Sequence, residues 1–316
     1  MKKFNWIAAE KAKHKHSEDN ELDYPVSAYC EVMGVSTSGY RQHMSKAAEH
    51  DEDEDVGADC EPQVCVEEKV EELFLESKRS YGTRRLKAAL IPLGFILSRR
   101  RIARIMAQRG LVSVIPRRFK RTTDSKHGGF IAKNIVDRNF SVLAPDKLWL
   151  TDITYIRTTS GFMYLAAVLD AFSRRIVGYA IDDHMQAELC ERALKMAFKN
   201  RSAKRGLIHH SDRGSQYASK SYQKLLRKKK LTCSMSRKGD CWDNAMMESF
   251  FGSLKSEHLH VTPLRSKEKT KETVNNWIEL WYNHKRLHSS LDMVSPMKFE
   301  ENYWKQQKNK QKSIAA

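Results

Sequence analysis

The hydrophobic pattern changes period near residue 143. Upstream, "YGTRRLKAALIPLGF" (81–95) and "LSRRRIARIMAQRGL" (97–111) carry apolar residues at helical spacing. The first predicts a helix ending near Pro92–Gly94. In the second, Ser98 is placed to cap the helix, Ile102, Ile105 and Met106 face inward, and Gly110 closes it. Further upstream, "YPVSAYCEVMGVSTSGYRQHM" (24–44) predicts two short helices about a Gly34 turn, with Ser36 capping the second. Downstream, "KLWLTDITYIRT", "GFMYLAAVLDAF" and "RRIVGYAIDD" are β-rich runs separated by short turns and predict an antiparallel meander. Then come a helix ("QAELCERALKMAFKNR"), a short strand running into a polar loop ("RGLIHHSDRGSQYAS"), a basic helix ("SYQKLLRKKK") and another strand ("LTCSMS"). From Met246 a helix buries Met246, Met247, Phe250, Phe251 and Leu254 along one stripe. "TVNNWIELWYNHKRLHSSL" continues helical to about His284, and Pro296 opens a terminal helix with a frayed Lys/Gln-rich end. Helices alternating with three antiparallel strands and further strands predict an α/β fold with a mixed sheet.

Composition sharpens the domain picture. The run "EHDEDEDVGADCEP" repels itself and reads as a linker. The expected organisation is an N-terminal helical segment (1–48), an acidic linker (49–65), a helix-turn-helix-type region with a basic connector (66–125), an α/β core (143–258) and a helical C-terminal region (259–316). Lys and Arg total 56 against 39 Asp and Glu, a formal charge of +17 over 316 residues. That excess points to a polyanionic partner, with nucleic acid ahead of a membrane surface. No apolar run is long enough to span a bilayer and the N-terminus lacks a signal peptide's apolar stretch, so a cytosolic protein is expected. The cysteines at 30, 60, 65, 190, 233 and 241 lack paired zinc spacing. Reduced thiols are the expectation over a knuckle built from His14, His16, Cys60 and Cys65. Arg99, Arg100, Arg101, Arg104 and Arg109 stud the exposed side of the second helix of the helix-turn-helix pattern, with little balancing acid, as groove or phosphate contact requires.

The candidate chemistry lies in three acids. Asp152 sits inside the apolar "WLTDITYI", Asp212 just past a strand in "HHSDRGSQY", and Glu248 off the apolar stripe of its helix. Glu248 shares its side of the helix with Gly252 and Lys255, the latter about two turns further on. Carboxylates in a core are unfavourable unless paired or metal-bound. Together they are hard oxygen ligands for Mg²⁺, and two ions about 4 Å apart serve phosphodiester displacement. Lys255 is placed to hold a phosphate, and Gly252 to let a DNA backbone come close. Other residues have blander readings: Asp170 as a turn residue rather than a fourth ligand, His209 and His210 as structural or else carboxylate-orienting or DNA-contacting, Asp243 or Asn244 as a helix cap, and Trp242 as core packing ahead of stacking on an unpaired base. Trp277, Trp281 and Trp304 are spaced for helix packing or a partner. Arg227 to Lys230 is either a solvated run or a phosphate contact.

The blocks "LWLTDITYI", "HSDRGSQYAS", "DNAMMESFFGSLKSE" and "YNHKRLHSSLDMVSPMKFE", preceded by "YGTRRLKAALIPLGF…RIARIMAQRGL", stand in one order. In that order they resemble the DDE transposases of the IS-three family of insertion sequences, second-frame (OrfB) type, with a retroviral-integrase-like core. The resemblance spans roughly residues 24 to 300. It implies an RNase H-like mixed-sheet catalytic core flanked by the helical regions. It implies Mg²⁺, with Mn²⁺ as a substitute, held by a triad carried onto Asp152, Asp212 and Glu248, and Lys255 on DNA. The implied activity is cleavage of the element's DNA ends and strand transfer. The implied partners are double-stranded DNA, further copies of the chain when ends are synapsed, and a first-frame (OrfA) product, fused or separate. Such a protein works at the bacterial nucleoid. Two features depart from the family: a long acidic stretch at 49–59, and "LDM" where a Gly–aromatic pair is usual. The alternatives are a non-catalytic DNA-binding regulator of transposition and an RNase H-like nuclease.

Overall fold

The structure, a computed structural model, describes residues 7, 26–40, 66–114, 130–202, 205–237 and 241–315. The acidic linker, the His14–His16 and Cys60–Cys65 pairs and the basic connector (116–129) lie outside the described residues, as does the side chain of Trp242.

The N-terminal helix α1 (Val26–Val32) ends at Gly34, which takes a positive φ of 61°. Ser36 then accepts the amide of Gly39 at 3.0 Å, the expected cap. Three helices follow: α2 (Val66–Glu76), α3 (Thr83–Leu90) and α4 (Arg99–Gln108). Between α3 and α4 a tight turn, Ile91–Leu93, stops at Gly94, whose φ of 87° requires a residue without a Cβ. Ser98 caps α4 by accepting the Arg101 amide at 3.1 Å. Phe74, Leu86, Leu90, Ile102 and Ile105 bury together as the core of this unit.

The large unit is a five-stranded sheet in the order β3-β2-β1-β4-β5. Strands β1 (Leu148–Thr158), β2 (Gly161–Asp170) and β3 (Ile176–Asp182) are the expected antiparallel meander. Strands β4 (Ile208–Ser211) and β5 (Thr232–Met235) add in parallel beyond β1. The "LWL" of β1 is buried on both faces, which demands helices on both sides. On one face lie α5 (Ala187–Asn200) and α6 (Lys220–Lys228), packing Leu189, Leu194 and Leu226 onto Trp149 and Val177. On the other lie α7 (Ala245–Leu254) and α8 (Lys267–Asn276) with its continuation, packing Met247, Phe250 and Trp277 onto Leu148, Leu150 and Leu165. Each such side chain contributes about 1.5–3 kcal/mol by leaving water. At Gly178 the backbone of α5 lies against β3: a Cβ there would stand 2.3 Å from the Ala193 carbonyl oxygen.

Two departures from the periodicity concern helices. After α7 and α8 the chain does not stop or turn. It widens into π-helical turns at Lys255–Leu259 and Trp277–Tyr282. The terminal helix α9 (Pro296–Ala315) runs on through the Lys/Gln-rich stretch where fraying is expected. Its inner end is anchored by Glu300, which accepts from Arg201 at 2.5 Å, Ser173 at 2.6 Å and Arg175 at 3.2 Å.

Candidate nucleic-acid active site

The site forms where two strands part. β1 pairs with β4 only from Leu148 to Leu150, so its edge is without a strand partner when the chain reaches Asp152. β4 ends at Ser211, one residue before Asp212. Asn244, at the start of α7, donates its side-chain amide to the Thr151 carbonyl at 3.3 Å. At the other end of the helix, Lys255 Nζ lies 4.5 Å above the ring of Tyr155. The first contact sets the start of α7 against the open edge of β1, and the second brings the residue after its end to the same strand. Glu248 is on the helix's exposed side, opposite the buried Met247, Phe250, Phe251 and Leu254.

The three acids share one electrostatic neighbourhood. Burial pushes the Asp152 carboxyl well above the ordinary carboxylate range; the charge of Asp212 adds to this, and that of Glu248 adds further. Lys255 and the Ile153 amide, which donates to Asp152 Oδ1 at 2.8 Å, act in the opposite direction. Burial lowers the Lys255 ammonium, and Asp152 offsets part of that. Asp212 accepts the Gly214 amide at 2.9 Å. A Cβ on Gly214 would approach Asp212 Oδ1 to 3.0 Å, so glycine keeps that turn closed. Among the described residues, one trio brings ligand atoms all within 4.8 Å of one another: Asp182, Asp183 and His184 at the end of β3. There Asp182 is paired with Arg192 at 2.7 Å. Asp152, Asp212 and Glu248 are not drawn that close together. Their donor set of carboxylate oxygens, offset by one lysine, is still the chemistry that suits a hard divalent cation.

The flanking residues separate into locks and bystanders. Asp243 is fully buried. It accepts from the Arg237 amide at 2.7 Å, the Arg237 guanidinium at 3.0 Å and Asn134 at 3.0 Å, and Arg138 lies 3.4 Å away. Burial works against its charge, but the bonds from Arg237 hold the carboxyl below its ordinary value. The cap expected from Asp243 or Asn244 therefore takes another form. Asn244 occupies the N-cap position, yet its side chain goes to Thr151 and makes no cap bond. His209 and His210 are buried and structural: His209 bonds the Tyr222 hydroxyl at 2.8 Å, and His210 bonds Ser234 and the Asp243 carbonyl, each at 2.9 Å. Asp170 is a turn residue, taking the amides of Asp146, Phe172 and Ser173.

The arginines of α4 divide as well. Arg99, Arg100 and Arg104 are exposed and Arg101 is half-buried. Arg109 is not unbalanced as its sequence surroundings suggest, because Glu71 of α2 pairs with it across the bundle. The sequence reading also misses a link beneath α7. Glu257 and Arg286 form a buried bidentate pair at 2.5 and 2.7 Å, and Arg286 reaches Ser253 of α7 at 3.0 Å. Arg85 of α3 joins Glu257 at 3.5 Å, and the Tyr81 hydroxyl accepts the Leu287 amide at 2.8 Å. The helical unit is thus tied to the helix that bears Glu248.

Comparison with known proteins bears on this arrangement. The integrase core domain family matches residues 143–241 and, through a second description of the same core, 229–296. The HTH-like domain family matches 65–119. A 31 kDa protein of insertion element IS600 from Shigella sonnei is 38% identical over 274 residues, covering 87% of this chain and 98% of its own. Transposase InsF of insertion sequence IS3A from Escherichia coli K12 is 35% identical over 288 residues, 91% of this chain and 98% of its own. The chain belongs to the IS3-family transposases. As a transposase it carries its family's integrase core in the sheet unit and the HTH-like domain in α2 to α4. Solved structures similar to it include the catalytic core of HTLV-2 integrase in complex with magnesium, at 14% identity, TM-score 0.40 and coverage of 50% of this chain and 98% of that one. A simian T-cell lymphotropic virus intasome matches at 15% identity, TM-score 0.44 and coverage of 73% and 74%. Among the described residues no helix of the transposase is long and apolar enough to cross a membrane.

Proposed function

We propose that this transposase cleaves the DNA ends of its insertion sequence and joins them to target DNA by metal-dependent phosphoryl transfer. What supports the reading is that Asp212, Glu248 and Lys255 all act on the charge of the half-buried Asp152, at the place where β1 and β4 part. Asp152, Asp212 and Glu248 hold the cation, Mg²⁺ with Mn²⁺ as a substitute. When bound, it supplies positive charge for in-line displacement at a phosphodiester. The protein's own residues do the positioning. Asp243 and Asn244 fix where α7 begins, and so where Glu248 stands. Lys255 binds the phosphate beside the reacting bond, and Gly252 gives the backbone room: a Cβ at Gly252 would meet nothing within 4 Å, so that flank is open. Arg99, Arg100, Arg101, Arg104 and Arg109 bring the element end to the HTH-like domain through phosphate and groove contacts. The reacting species is an oligomer that holds two DNA ends, with a first-frame partner fused or separate, at the bacterial nucleoid.

The decisive experiment incubates a labelled element end with target DNA and Mg²⁺. Cleaved and joined products are expected from the wild type, and neither from Asp152→Asn, which retains DNA binding. Cleavage without joining would make the protein a nuclease on this fold. Binding without either product, or full mobility of an element encoding Asp152→Asn, would leave a DNA-binding regulator.

A further inference from the structure

Most large side chains on the face of β1 and β2 that carries Trp149 and Ile153 lie under α5 and α6. At the far end of the hairpin that cover is missing. Tyr155 is 44% exposed and Phe162 48% exposed, with ring centroids 5.7 Å apart and planes at 88°. Two neighbouring aromatic rings in water give up burial that the rest of the sheet secures. Their surroundings are cationic: Lys255 Nζ is 4.5 Å over Tyr155, and the exposed Arg157 stands opposite Phe162 in the strand register. An apolar protein partner would need a wider apolar surface than two rings flanked by two cations. Rings interleaved with cations are what unpaired nucleotides require, the rings for the base and the cations for its phosphates. The position is also set: Tyr155 stands three residues along β1 from Asp152, and the Lys255 ammonium lies over its ring.

We infer that Tyr155 and Phe162 form a stacking subsite for an unpaired DNA base next to the phosphate held at Asp152. The subsite rests on the DNA-end reading above and extends it: the end is engaged with its terminal pairs opened. Tyr155 has the second effect of holding Lys255 over its ring. Both side chains are on the surface, so their replacement leaves the folded core intact.

The test compares blunt duplexes with forked duplexes of the same sequence, the fork carrying 2-aminopurine in its unpaired arm. The full-length wild type should bind the fork about tenfold more tightly and quench its fluorescence. The double variant Tyr155→Ser, Phe162→Ser should bind both duplexes alike, without quenching, at an unchanged melting temperature. Tyr155→Phe, which keeps the ring, should retain preference and quenching. A double variant that keeps both would overturn the inference, as would a wild type that binds fork and blunt end equally. A wild type that binds neither duplex would remove the DNA-end reading and this subsite with it.

Discussion

Arg237 is joined to Asp243 through both its backbone amide, at 2.7 Å, and its guanidinium, at 3.0 Å. Asp243 is completely buried, and α7 begins two residues later. The pair therefore sets the start of the helix that carries Glu248 without itself facing the site. Asp243→Asn removes the charge that holds Arg237 and Arg138 and should lower stability by ~1–3 kcal/mol. Where the variant is still folded, end cleavage should fall at least tenfold and the Mg²⁺ concentration for half-maximal activity should rise. DNA binding should hold. A stability loss with unchanged metal dependence would make Asp243 a purely structural residue.

The Glu257–Arg286 pair offers a cleaner measurement of burial. Removing one partner leaves an uncompensated charge in the interior, an effect of about 3–5 kcal/mol. Glu257→Gln and Arg286→Met should each unfold at much lower urea, and the double variant should recover a large part of the loss. Because the pair is buried, the coupling in this double-mutant cycle should change little between low and high salt. Additive losses would show that the two residues act separately.

Gly178→Ala should be among the most damaging single-methyl additions in the chain. The new Cβ would lie 2.3 Å from the Ala193 carbonyl oxygen and 2.5 Å from the Ala197 amide nitrogen, both backbone atoms of α5. Overpacking of this kind lowers stability by ~1–3 kcal/mol, measurable as a drop in Tm. An unchanged Tm would mean that α5 shifts freely on the sheet.

Gly252→Ala should part stability from function. The position is helical and its flank is empty, so alanine should stabilise α7 by roughly 0.5–1 kcal/mol. If a DNA backbone passes there, strand transfer should nevertheless drop severalfold. A variant both more stable and fully active would remove Gly252 from the DNA path.

Mild acid should weaken the fold through histidines held neutral. Burial lowers His209 to about 3, His258 to about 4 and His288 to about 2; for His288 the charge of Arg286 adds to the effect. In the unfolded chain each titrates near 6.5. The unfolded state therefore binds more protons, and the stability these groups contribute above pH 6.5 is lost as the pH falls toward their folded values. Asp170, raised to about 6 by burial, works the other way: its folded form favours the proton, so it offsets part of the loss below pH 6. Urea melts at pH 7 and pH 5 should show a net loss. His209→Gln should reduce the difference by ~2 kcal/mol, because one titrating site is removed.

The parts of this architecture that repeat locally are legible in the chain. Alternation and short turns give the β1–β3 meander. Ser98 and Gly110 mark the ends of α4. Asp152 stands out because an acid inside "WLTDITYI" needs a reason. The parts that depend on distant partners are not legible. Glu257 has no local signal of its pairing, since Arg286 lies on a separate segment. Arg109 reads as unbalanced until α2 brings Glu71 beside it. Asp243 looks like one more cap candidate, and only the fold brings Asn134, Arg138 and Arg237 around it. The π-helical turns at Lys255–Leu259 and Trp277–Tyr282 leave no mark in the periodicity.

The short β1–β4 pairing has one further consequence. An uncovered strand edge is a template onto which another chain can add, and such edges seed aggregates unless something shields them. Just past Leu150 the start of α7 meets this edge, where Asn244 takes the Thr151 carbonyl and Met247, Phe250 and Leu254 seat the helix on the core. Substitutions that loosen this helix should therefore yield insoluble protein as well as inactive protein, and the helix that bears Glu248 doubles as the guard against self-association.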